Sequence, residues 1–183
     1  SRLLASFADT LRLHPDVYVS LNFASADIAD AKLLDEVERM LSLAQIPPSQ
    51  IVIELTESRG DETPGLAEGL RRLRAAGHRL SIDDFGTGSS NASRLASLKP
   101  EIVKVDRSFL LHADKASHAA DLLPQLIGMA RGLGAKVVVE GVESPEQAAL
   151  IAGFGDVFGQ GDFDRCGITM FDDGHWRRLG SHR

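Results

Sequence analysis

The chain has 183 residues, 43% of them apolar and 25% charged, which is ordinary globular usage and excludes a fibrous or intrinsically disordered polypeptide. Its net charge of −6 disfavours binding a nucleic acid polymer through a broad basic surface, so a phosphorylated ligand would need metal ions to supply positive charge. The single cysteine, Cys166, excludes an intrachain disulfide and a cysteine-based zinc site, in keeping with a reducing compartment, and no apolar run approaches the roughly 18 residues of a membrane span.

The sequence opens at Ser1, without a signal-peptide core, on a helix-like pattern of Leu3, Leu4, Phe7, Ala8 and Leu11, as expected of a piece cut from a longer protein. From residue 17 onward, short β-branched runs alternate with longer amphipathic stretches, the pattern of βα units and a parallel sheet. Strands are predicted at 17–23, 51–57, 80–85, 102–107, 136–142 and 157–161. The helix after the first strand carries Leu33, Val37, Met40, Leu41 and Ala44 on one predicted face and is closed by Pro47 and Pro48. Further helices are predicted near 64–76, 90–98, 116–133 and 145–153, with Gly77, Gly134 and Gly153 as C-caps. Residues 172–183 fit neither pattern. No linker divides the chain, so residues 1–183 read as one domain, and six βα units fall two short of a closed eight-stranded barrel. The expected fold class is therefore an α/β barrel with its first two strands missing from this chain.

Side chains alternate across a strand, so each run sorts into two faces. Asn22 shares a face with Tyr18 and Ser20; Glu54 with Val52 and Thr56; Lys104 with Ile102 and Asp106; Glu140 with Val138. The opposite faces are apolar and suit helix packing. Asp83, near the end of its strand, completes a series of inward polar residues toward the C-terminal ends of successive strands, where barrel active sites lie. Their oxygen ligands suit Mg²⁺, Mn²⁺ or Ca²⁺ rather than zinc, and the neighbouring Asp83 and Asp84 suggest more than one ion. One buried acid alone would read as an ion-pair partner; acids on successive strands do not. Lys104 has two open roles, neutralising these carboxylates or, beside bound metal, accepting a proton from or orienting a water. The glycine-rich 84–90 is a turn that can reshape around a ligand, and Glu143 either anchors that turn or caps the helix starting at Ser144-Pro145. The six histidines lack metal-binding spacing.

In order, SLNFA (20–24), ELTES (54–58), DDFGTGSS (83–90), KVDRSF (104–109), EGVE (140–143) and GQG (159–161) closely resemble the EAL-domain family of bacterial cyclic-di-GMP phosphodiesterases. The resemblance implies a modified TIM (β/α)8 barrel that opens cyclic-di-GMP to linear pGpG by metal-assisted attack of water. By motif position it implies a metal shell of Asn22, Glu54, Asp83, Asp84 and Glu140, with Asp83 bridging two ions and Asp84 also near substrate. It further implies Lys104 on the attacking water, Asp106 beside it, Glu143 steadying the 84–90 loop and Gln160 binding substrate. Two Mg²⁺ or Mn²⁺ ions, inhibition by Ca²⁺, a homodimer through the barrel, sensory or GGDEF-type domains in the parent protein and a cytoplasmic setting belong to the same expectation. A receptor that binds without turnover is the alternative. The sequence departs from the family at Ala24, at Ser89 and, within 159–167, after Gln160, and the resemblance places the expected Glu-Ala-Leu strand upstream of what the chain covers.

Overall fold

The computed structural model describes residues 8, 11–14, 17–56, 63–87, 92–111, 118–161, 169–172 and 175–178. Eight strands lie among them: β1 (Val19–Phe23), β2 (Ile51–Leu55), β3 (Arg79–Phe85), β4 (Ile102–Val105), β5 (Lys136–Glu140), β6 (Val157–Gln160), β7 (Thr169–Asp172) and β8 (His175–Arg178). The helices are α1 (Ser25–Ala29), α2 (Ala31–Leu43), α3 (Leu66–Ala76), α4 (Ala92–Leu98), α5 (Ser108–Leu111), α6 (His118–Gly132) and α7 (Pro145–Ala152). The first six strands form a sheet whose order follows the chain. All six predicted strands are present within a residue or two at most ends, because runs such as Ile51-Val52-Ile53 and Val137-Val138-Val139 favour the extended state. By contact density the chain divides into two compact units, one ending at Ser81 and the other beginning at Ile82.

In the first unit β1 and β2 run parallel, from Val19 opposite Ile51 to Phe23 opposite Leu55. The Thr56 N–H extends the ladder by donating to the Phe23 carbonyl at 3.1 Å. β2 is buried along its whole length, the burial expected of an inner parallel strand. Ahead of β1, the buried Gln50 side chain gathers the chain: its Nε2 shares two hydrogens among the carbonyls of Leu11, His14 and Val17, at 3.0, 2.9 and 3.0 Å. The Asp30 carboxylate caps α2 by accepting from the N–H groups of Lys32 and Leu33.

The predicted face of α2 needs correction. Leu34 and Leu41 are buried, whereas Leu33 and Met40 are 37% and 40% exposed. Residues seven apart share a face, so Leu33/Met40 and Leu34/Leu41 are adjacent rows and only the second reaches the core. α1 was not foreseen; its Ile28 carbonyl lies so close to Gly69 on α3 that a side chain at 69 would overlap it.

In the second unit β4, β5 and β6 are parallel, with Val103 opposite Val137 and Val137 opposite Val157. Val103, Val105, Val137 and Val139 are fully buried, as their assignment to a helix-covered face requires. α7 begins on a capping box: the Ser144 hydroxyl accepts from Gln147 N–H at 3.2 Å, and Gln147 Oε1 accepts from Ser144 N–H at 3.0 Å. Gly77 closes α3 at φ 101°, but Gly153 remains right-handed at φ −63° and Gly155 takes the left-handed turn instead. β7 and β8 form an antiparallel hairpin, Thr169 opposite Arg178, in a region the sequence pattern left unplaced. Cys166 and residues 88–90 of the glycine-rich segment lie outside the described residues.

Candidate metal centre

Asp83 and Asp84 stand near the end of β3, Glu140 ends β5, and Lys104 is the third residue of β4. Alternation alone would send adjacent residues 83 and 84 to opposite faces. Asp84 avoids this by adopting φ 53°, the left-handed region that aspartate tolerates better than most residues. Oxygens of Asp83, Asp84 and Glu140 consequently lie within 4.8 Å of one another.

Lys104 joins this group. Its Nζ is 2.5 Å from Glu140 Oε1 and 3.2 Å from Asp83 Oδ1, with side chains only 10–20% exposed. The ammonium offsets part of the repulsion among three carboxylates. One ammonium cannot neutralise three carboxylates, so the group keeps a net negative charge that a bound cation would offset. An all-oxygen set of three carboxylates within 4.8 Å of one another fits a hard divalent ion.

The other predicted residues are placed as follows. Gln160 ends β6 directly opposite Glu140 in the parallel register, and its carbonyl accepts from Val142 N–H at 3.1 Å. Asp106 follows β4 and is half-buried; its Oδ1 accepts from Ser108 N–H at 2.9 Å, capping α5. Glu143 is exposed. It contributes its N–H to Gln147 Oε1 at 2.7 Å, while the cap of α7 is made by Ser144, which corrects the expectation that the Glu143 side chain caps that helix. Within the first unit, Asn22 and Glu54 are register partners on β1 and β2; Asn22 is exposed and Glu54 is 5% exposed.

The sequence profile of the EAL domain matches residues 2–164. The chain belongs to the EAL domain family. It is 36% identical over 153 residues to the probable cyclic di-GMP phosphodiesterase PdeB of Escherichia coli K12, a match covering 84% of this chain and 29% of that protein. Among solved EAL structures, the PaMucR phosphodiesterase in complex with c-di-GMP has a TM-score of 0.77 at 31% identity, covering 87% of this chain and 67% of that one. Klebsiella pneumoniae BlrP1 with manganese and c-di-GMP has a TM-score of 0.76 at 27% identity, covering 88% and 41%, and the same protein is known with calcium and c-di-GMP. The EAL chain here thus has the parallel, TIM-barrel-like α/β fold of those domains, and it spans under a third of the length of PdeB.

Proposed function

We propose that this EAL domain hydrolyses cyclic di-GMP to linear pGpG. The observation that carries the reading is the convergence of three carboxylates, Asp83, Asp84 and Glu140, on a single ammonium, that of Lys104. Divalent cations held there would supply the positive charge that a dianionic phosphodiester and its transition state need. Asp83, Asp84 and Glu140 would hold them, joined on motif position by Asn22 and Glu54.

The remaining chemistry belongs to the chain's own side chains. Lys104, tethered by two carboxylates, would orient the attacking water. The water oxygen bonds to phosphorus, the P–O3′ bond breaks, and the proton ends on the 3′ oxygen. Gln160, beside Glu140, is assigned to the substrate; Asp106 and Glu143 are assigned by motif to the water and to the loop beginning at Asp84.

Mg²⁺ or Mn²⁺, probed as a pair of ions, is the proposed cofactor, with Ca²⁺ inhibitory; the manganese and calcium complexes of BlrP1 support a site open to all such ions. The family profile runs across both compact units, which supports treating residues 1–183 as one EAL-type domain. A homodimer, accompanying sensory or GGDEF-type domains and a cytoplasmic setting complete the proposal. No helix among the described residues is long and apolar enough to cross a membrane.

The test is incubation of the chain with cyclic di-GMP and Mn²⁺ or Mg²⁺, following pGpG by chromatography beside an Asp83→Asn control. Product lost in the control supports the hydrolase. Binding without product moves the domain to the receptor class, and the absence of both binding and product sinks both readings.

A further inference from the structure

The segment that follows β4 touches both of the turns that carry the clustered carboxylates. Asp106 N–H donates to the Phe85 carbonyl at the end of β3, at 3.5 Å, and the Asp106 carboxylate accepts from Ser108 N–H. Phe109 and Leu110 then donate to the Asp106 and Arg107 carbonyls at 3.2 and 3.0 Å, which fixes residues 106–110 as one tight turn.

Two side chains leave this turn, and each meets a glycine placed just after a clustered acid. The Phe109 ring lies against Gly86, two residues beyond Asp84: a Cβ there would stand 2.6 Å from Cε2 and 2.7 Å from Cζ. The Arg107 stem lies against Gly141, the residue after Glu140: a Cβ there would overlap the Arg107 Cβ and approach its Cδ to 3.4 Å. Gly86 and Gly141 have φ of 105° and 73°, conformations that side chains disfavour, so both turns are tight as well as covered.

We propose that residues 106–109 form a positioning clamp that sets the separation between the Asp83–Asp84 pair and Glu140, and with it the affinity of the cluster for a divalent cation. The acids come from β3 and β5, and the clamp grows from β4, the strand between them in sheet order. Three carboxylates within 4.8 Å repel one another, so their backbones must be held from outside the cluster. Phe109 and the Arg107 stem touch both backbones. The contacts to Gly141 run through carbon atoms of Arg107, so the guanidinium charge is not required. The inference rests on the metal reading given above.

The test is Mn²⁺ binding to the whole chain, measured by calorimetry without nucleotide, beside thermal unfolding. Phe109→Ala and Arg107→Gly should weaken Mn²⁺ binding about 10- to 100-fold, the range for groups that orient metal ligands, whereas Arg107→Met, which keeps the stem, should stay within about 2-fold. Phe109→Leu provides a milder variant should Phe109→Ala fail to fold, with an intermediate loss expected. Ile151→Ala, which truncates a buried side chain of α7, should lower the thermal midpoint without changing Mn²⁺ affinity. Unaltered binding in the Phe109 variants, or an equal loss in Ile151→Ala, overturns the clamp. A wild-type chain that binds no Mn²⁺ sinks the metal reading itself, which separates the two failures.

Discussion

Replacing Lys104 by methionine keeps the volume of the side chain and removes its charge from between two carboxylates. At the observed 3.2 and 2.5 Å, the gross attractions to Asp83 and Glu140 amount to about 5 and about 7 kcal/mol at an effective dielectric constant of about 20. Desolvation cancels much of that, and deleting one partner of a buried pair costs about 3–5 kcal/mol net. Because the three side chains retain 10–20% exposure, the lower end applies, so Lys104→Met should lose about 3 kcal/mol with a chelator present. A cation bound to the same acids would take over the neutralisation. Urea unfolding of wild type and variant should therefore show the gap in EDTA shrinking to under about 1 kcal/mol at saturating Mn²⁺, as linkage to native-state binding requires. Turnover of cyclic di-GMP should be lost in the variant under both conditions. A stability gap that persists unchanged in Mn²⁺ would refute the argument, since the cation would then not be replacing the lysine charge.

Gln50→Leu removes the buried side-chain amide that ties down the segment before β1 and should cost about 1–2 kcal/mol of stability by urea unfolding. Ser144→Ala should cost about 1 kcal/mol and speed amide exchange in the first turn of α7, where its hydroxyl accepts from Gln147. The Glu146 carboxyl is held below its ordinary value of 4.5, first by its own backbone N–H and then by Ser144. A carboxylate depressed in the folded state stabilises above the unfolded value and loses that contribution as pH falls through the folded one. An NMR titration should place the Glu146 midpoint below 4.5 in the wild type and closer to it in Ser144→Ala.

Much of the architecture was legible because it rests on periodicity. The alternation of apolar and polar residues put Asn22 and Glu54 on the inward faces of their strands and aimed Lys104 and Glu140 to one side; the last two are ion-paired, and the register that sets Asn22 opposite Glu54 is added by the structure. Alternation could not show that Asp84 turns its carboxylate to the same cluster as Asp83, since that depends on one backbone torsion that residue type permits but does not announce. The same holds for Asp106, whose carboxylate serves a helix cap, and for α2, where two adjacent apolar rows gave no local cue to the buried one. The hairpin of β7 and β8 escaped because it is an antiparallel pair with no helix between its strands, unlike the βα units whose alternation the sequence displays.

The torsion at Asp84 also bears on how this position can drift under mutation. A left-handed backbone admits glycine, asparagine and aspartate with little strain and penalises the rest, while the cluster demands an oxygen donor on a short stem. Glycine passes the first filter and fails the second; glutamate brings a longer stem and more backbone strain, a strain that Gln45 and Lys99 carry elsewhere in the chain at φ 55° and 47°. Asparagine and aspartate meet both demands at the least strain, so residue 84 has few cheap replacements before any selection for rate begins.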